Sequence, residues 1–294
     1  MSLTGPQLPW PPDRRPLSVV AFANSVATLQ LPVRADRAEG TYVEVLADLL
    51  ATVGVPAVPH LESRWFDFLH RAMRDYESRV RVHNPDVLVV QFGLNEYQPW
   101  LVPVWLIRHL LVQNQAATRT AKEYRRVVAP RLWGLVRGYR RRVAGVVGTR
   151  TWQVTPERFA GHLARLLRNA RWEARPLVLV LDIDEPAGVL EHFLPGMAVR
   201  HAIYQDVIER VVAEHDDPEV RLVRVSEITA ALGPEALGDA MHYSPATHRA
   251  VGEALFEQVR DWLEERGRRP PTDQARPTRP VSRSSTRSTT PGQA

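Results

Sequence analysis

Ser25 ends a short tetrad, Phe22-Ala23-Asn24-Ser25, that closes the apolar run Leu17–Phe22, and Asp239-Ala240-Met241-His242 stands just ahead of the last amphipathic segment. A serine hydroxyl becomes a useful nucleophile when a base takes its proton and the backbone holds it exposed, as a strand-to-loop turn does. Near neutral pH the simplest base is a histidine, and it needs a carboxylate on Nδ1 to set its tautomer and stabilise the imidazolium. The three-residue spacing of Asp239 and His242 on a turn brings both side chains to one side. A third stretch, Gly93-Leu94-Asn95-Glu96, follows the most continuous apolar run of the chain, with Gly93 suited to a tight turn and Asn95 to an Asx-turn or a hydrogen-bonding role. The candidate nucleophile, base and orienting acid are thus Ser25, His242 and Asp239.

One rival centre is visible. Asp182-Ile183-Asp184 follows another apolar run and has the form of the DxD of metal-dependent transferases and phosphatases. A haloacid-dehalogenase-like motif wants a threonine two residues further on, where Pro186 stands, and carboxylates at a strand end also simply cap loops. No HExxH or aspartate cluster calls for a metal, and no cofactor is expected. His60, His70 and His201 have no partner at a diagnostic spacing, and His248 falls inside the final helix, where it packs or faces solvent.

These residues need a scaffold that brings distant loops together. Leu17–Phe22, Val55–Val58, Asp86–Phe92, Pro176–Leu181 and Val220–Val225 read as strands, the third the clearest. Thr41–Val53, Phe66–Val82, Pro156–Arg171, Ile203–Glu214 and Pro245–Arg266 carry helical spacing, with Gly54 placed as a helix-terminating glycine and Ser244-Pro245 as an N-cap and first-turn pair. Phe66, Leu69, Met73 and Tyr76 share one face of the second of these helices. The alternation predicts a three-layer α/β/α sandwich around a mostly parallel five-stranded, flavodoxin-like sheet, with a helical insertion. Ligands bind such sheets at the carboxyl ends of the strands, where Ser25 and Asn95 both fall.

A serine after the first strand, a Gly-x-Asn turn after a later one and a C-terminal Asp-x-x-His together resemble the SGNH (GDSL-like) hydrolases, over roughly residues 17–266. The resemblance implies an ester hydrolase with a Ser25–His242–Asp239 triad. It also implies an oxyanion hole from the Ser25 N–H, the Asn95 amide and the Gly93 turn, completed by a glycine N–H from a second block. Two letters of the nucleophile motif differ, Ala23 and Asn24 standing where the family has glycine and aspartate. Glu96 replaces a more usual aspartate. The second block, expected within His60–Arg71, has no glycine, so Ser63 or Arg64 is the expected backbone donor. An acyltransferase working through the same residues, or a binding protein on the same fold, remains an alternative.

Composition narrows the classes further. The 294-residue chain has no cysteine and only one lysine, Lys122, which excludes disulfides, thiolate chemistry and most Schiff-base chemistry. Its net charge of +5 belongs to the Pro/Ser/Thr-rich segment 267–294, with six arginines against Asp273, which is expected to be a disordered tail. Residues 1–16 form a proline-rich leader. Arg14-Arg15 before Leu17–Phe22 imitates a secretion signal, but the apolar part is too short, and the expectation is a cytoplasmic chain without a transmembrane segment. Residues 99–150 carry eleven Arg or Lys against Glu123 alone, around apolar stretches at Trp100–Val112 and Tyr124–Val147. They are expected to form a basic helical insertion, either a lid over the site or an amphipathic hairpin. Its outer face suits an acidic carrier protein or an anionic surface, whereas nucleic acid is not expected. The expected partner of the site itself is a small-molecule ester.

Overall fold

The sheet forms where the chain is most continuously apolar. The computed structural model describes residues 8, 10, 11, 14–28, 40–99, 101–103, 106, 123–147, 152–173, 175–185, 188–238 and 241–268. In it, strands β1 (Leu17–Asn24), β3 (Val87–Gln91) and β4 (Leu177–Leu181) are buried over their whole length. That is the burial expected of strands covered by helices on both faces. The strand order is β2-β1-β3-β4-β5, and every pairing is parallel, including those of the edge strands β2 (Ala57–Arg64) and β5 (Val220–Val223). This is the doubly wound order with its switch point between β1 and β3.

Strand β2 runs well beyond the expected Val55–Val58. Its half-exposed, polar run with Pro59 conceals it in sequence, yet an edge strand tolerates both, because one side of its backbone needs no partner. The expected helix over Phe66–Val82 is broken. Phe66 turns with φ 52, and only α2 (Leu69–Ala72) and α3 (Tyr76–Arg79) are α-helical, joined by 3-10 turns. Ahead of α2, Asp67 turns to the interior, 2.7 Å from Arg79, and the Leu69 N–H that opens the helix donates to Glu96.

The remaining helices are α1 (Tyr42–Thr52), α4 (Leu94–Tyr97), α5 (Ala129–Val147), α6 (Pro156–Glu173), α7 (Gly188–Phe193), α8 (Met197–Glu214), α9 (Val225–Leu232) and α10 (Pro245–Arg268). Thr41 and Glu44 start α1 as a capping box. Helices α1 and α10 pack together on one face of the sheet, and α6 and α8 on the other, where Tyr204 meets Phe159 at 5.0 Å. Of the basic insertion, α5 is described, entered through a π-helical turn over Tyr124–Val128. Pro130 accounts for that wide turn, since it has no N–H for the regular ladder and its ring crowds the preceding carbonyls. Most of Trp100–Val112 and the tail beyond Arg268 lie outside the described residues. No helix among the described residues is long and apolar enough to cross a membrane.

The closeness of α1 and α10 depends on one residue. A Cβ at Gly252 would lie 2.6 Å from Val45 Cγ1 and 3.0 Å from the Tyr42 carbonyl oxygen, whereas one at Gly161 in α6 meets nothing within 4 Å. Helix propensity favours alanine at both sites, so packing decides the sign. Gly252→Ala is expected to lower stability by about 1–3 kcal/mol, and Gly161→Ala to raise it by up to about 1 kcal/mol. Urea unfolding of the two variants checks the pair; equal effects would contradict the packing described.

Candidate active site

Ala23 of β1 pairs with Gln91 of β3, so two further residues bring Ser25 and Gly93 to the same level beyond adjacent strand ends. Ser25 opens a 3-10 turn, Ser25–Ala27, whose cap is Asn24: its Oδ1 accepts the Val26 N–H at 3.0 Å. This settles what the two altered motif letters do. Strand geometry continues through Ala23 and Asn24, the latter at φ −85, so no left-handed residue is needed there and alanine fits. Asn24 caps the turn as an aspartate would, without the charge.

His242 reaches this turn from the other end of the chain. A small hairpin holds it, with Leu237 bridged to Tyr243 and the Gly238 N–H donating to the His242 carbonyl oxygen at 2.8 Å. The chain then enters α10, where Ser244 Oγ accepts the Thr247 N–H at 3.3 Å as an N-cap. The His242 Nε2 lies 3.2 Å from Ser25 Oγ, with both residues buried. Asp239 lies outside the described residues.

Gly93 has φ 130, and a Cβ there would sit 2.9 Å from Ile183 Cγ2, so only glycine fits this turn. Its N–H donates to Glu96 Oε2 at 3.0 Å, within the turn. Glu96 is wholly buried and accepts the Leu69 N–H on its other oxygen at 2.6 Å, tying the loop after β2 to the loop after β3. Asn95 Nδ2 donates to the Asp67 carbonyl oxygen at 2.9 Å, a second tie between the same loops. Asp67 is in turn held by Arg79, which lies buried over the Phe22 ring and also bonds the Glu62 carbonyl oxygen at 2.8 Å.

Ser63 and Arg64, the expected second-block donors, are still in β2, paired with Ala23 and Asn24. The chain leaves the sheet at Trp65 and Phe66. Phe66 holds the positive φ that a glycine would favour, and Trp65, 43% exposed, lies 5.5 Å from the His242 ring. Trp65 went unnoticed in sequence, and Phe66 reads there as the start of a helix; the signal for a turn was the absence of glycine where one is required.

The other candidates separate from this cluster. His248 is buried against Tyr42, its Nδ1 accepting the Tyr42 N–H at 3.2 Å, and burial pushes its pKa down to about 4. It is a packed neutral ring, one of the two roles its helical position allows. His60 stacks on His83, His70 lies near His162, and His201 Nε2 meets the Ile183 carbonyl oxygen. Asp182 accepts from the Ser226 N–H and hydroxyl and from Gln205 Nε2, capping α9. Asp184 does not share that role: burial first, then Asp182, pushes its carboxyl up to about 7. Among the described residues no group of three His, Cys, Asp or Glu is arranged to hold a metal ion.

No family model matches the sequence, and no curated protein matches it. Solved structures do. The lipase/acylhydrolase from Enterococcus faecalis superposes with a TM-score of 0.55 at 14% identity, covering 84% of this chain and 96% of that one. The acetylxylan esterase Axe2 from Geobacillus stearothermophilus gives 0.51 at 14% identity, covering 83% and 94%. This chain shares their fold. The correspondence spans nearly the whole of each enzyme, so the doubly wound sheet and its covering helices are common to all three.

Glu96 and Asp184 give the protein a measurable pH signature. Burial is the leading cause of a carboxyl pKa of about 7 in each, against ordinary values of 4.5 and 3.8. The folded chain therefore keeps these protons to higher pH than the unfolded chain. Their contribution is fully favourable below about pH 4 and is lost as pH rises towards 7. Asp184→Asn removes one such group, and relative to the parent it is expected to gain stability between about pH 5 and pH 8, on the order of a few kcal/mol. Urea unfolding across that range measures it; parallel curves for parent and variant would show that Asp184 is not held protonated.

Proposed function

We propose that the chain is a serine esterase of the SGNH type, cleaving an acyl ester through a covalent acyl-enzyme. The observation that carries this reading is the 3.2 Å approach of His242 Nε2 to Ser25 Oγ at the carboxyl edge of the sheet. The esterase and acylhydrolase that share the fold support it, as does the placement of the Gly93–Asn95 turn beside Ser25 at the switch point.

In this mechanism Ser25 Oγ attacks the ester carbonyl carbon while His242 Nε2 takes the hydroxyl proton. The carbonyl oxygen becomes an oxyanion, held by the Ser25 N–H and the Asn95 amide. We assign the remaining donor to the backbone of the Trp65–Phe66 turn, where the left-handed Phe66 does the work of the missing glycine. The tetrahedral intermediate collapses as His242 returns the proton to the departing alcohol. Water then attacks the acyl-enzyme, again giving its proton to His242, and the acid leaves with the serine restored. Asp239 is assigned to His242 Nδ1, where it would hold the tautomer that leaves Nε2 free to accept. The ties from Glu96 and Asn95 make the two oxyanion loops one rigid unit, which such stabilisation requires.

Labelling with a fluorophosphonate tests the reading. The parent is expected to form an adduct at Ser25, and Ser25→Ala or His242→Ala to lose at least about a thousandfold in kcat/KM on a p-nitrophenyl ester while unfolding at the parent temperature. A folded parent that forms no adduct, or an adduct that persists in Ser25→Ala, would overturn the assignment.

A further inference from the structure

Helix α5 carries more apolar surface than the domain covers. Its inner side is accounted for: Ala129, Val136 and Ala144 are buried, and Arg140 turns inward to the Pro99 carbonyl oxygen and the Trp133 ring. Next to that face, Val128, Leu135, Tyr139 and Val146 recur at spacings of seven, four and seven residues, which places them in one line along the helix. They are exposed, Leu135 by 73% and Val146 by 83%. The line runs about 27 Å at the ordinary helical rise. Along its other edge stand Arg131 and Arg142, one turn from Leu135 and Tyr139 and exposed. Neither has an acidic partner among the described residues. From Tyr124 to Val147 the sequence has seven arginines and no acid.

A helix hairpin merely packed on its domain with arginines in water would have its apolar arc covered. Here half of the arc faces out, bordered by unpaired cations. We infer that α5 docks on an anionic lipid surface, lying in its plane with Leu135, Tyr139 and Val146 dipping among the acyl chains and the arginines on the phosphates. The charge calls for an acidic partner. A straight line of aliphatic residues on a convex helix suits a fluid bilayer better than a folded protein, which would need to offer a matching groove. Arginine, used in this chain almost to the exclusion of lysine, is suited to paired hydrogen bonds with phosphate oxygens.

Helix α5 is joined to a loop that borders the candidate site. Arg140 fastens α5 to Pro99, the residue after Gln98, and Gln98 Nε2 contacts Met241 Sδ, next to His242. Resting on a bilayer through α5 would hold the carboxyl edge of the sheet near the lipid surface. Docking itself does not depend on the esterase reading, and binding is measured without turnover.

The experiment is vesicle flotation of the full chain. Vesicles of phosphatidylcholine alone are compared with vesicles that also contain phosphatidylglycerol, for the parent, for Leu135→Glu/Val146→Glu and for Arg131→Glu/Arg142→Glu. Expected is flotation with the anionic vesicles that weakens as salt is raised, and at least about tenfold weaker binding by both variants and to phosphatidylcholine alone. Unchanged thermal unfolding shows that these exposed substitutions leave the fold intact. A parent that binds neither vesicle overturns the proposal, as does one retained only by an acidic acyl-carrier protein. Undiminished binding by both variants also overturns it and assigns the affinity to the arginines beyond Arg268.

Discussion

The pairing of β1 with β3 sets the geometry on which the rest of the carboxyl edge depends. With Ala23 opposite Gln91, the strands end side by side at the point where the sheet order reverses, and whatever follows each strand must share one crevice. Because β1 is buried on both faces, burial alone does not choose its register; the pairing with β3 sets the level at which Ser25 leaves the sheet. His242 comes from a hairpin more than two hundred residues away in sequence. Its docking is reproducible because Tyr243, the next residue, is buried and accepts a hydrogen bond from Gln91 at the end of β3.

Around that crevice the loops are held by buried polar groups in place of the usual small residues. Glu96 clasps the N–H groups of Gly93 and Leu69, and Arg79 holds Asp67, whose carbonyl oxygen holds Asn95. Such groups are costly to bury and costlier to leave half-paired, so the arrangement is stiff. It also explains how Phe66 can sit at a positive φ: the next residue, Asp67, is held by Arg79 and Asn95 through bonds that offset a strain on the order of 1–3 kcal/mol.

The sheet was legible in sequence wherever burial on both faces produced an unbroken apolar run, as in Val87–Gln91 and Leu177–Leu181. Strand β2 was underestimated because an edge strand need not be apolar, and Phe66–Val82 was over-read as one helix because periodicity reports which residues face inward but not whether the backbone between them is continuous. Ser25 and Gly93 could be placed beyond strand ends because unbroken apolar runs precede them, and His242 ahead of the last helix because Ser244-Pro245 marks its start. The donation of the Gly93 N–H to Glu96, the turn at Trp65–Phe66 and the different surroundings of Asp182 and Asp184 could not be picked out, since each depends on a partner distant in sequence. A carboxylate that caps a helix and one that is simply buried look alike as letters.

Pro59 has a further consequence. An open sheet ends in two strands with unpaired backbone groups, and such edges invite the same strand of another molecule to continue the ladder. On β2 the ladder is interrupted by an imide nitrogen that cannot donate, within a run that also carries His60, Glu62 and Arg64, so an incoming strand would find missing bonds and fixed charges. At the far edge β5 is only four residues long and holds Arg221 in contact with Glu265 of α10. The same features that make β2 faint as a strand thus guard the folded chain against sheet-to-sheet aggregation.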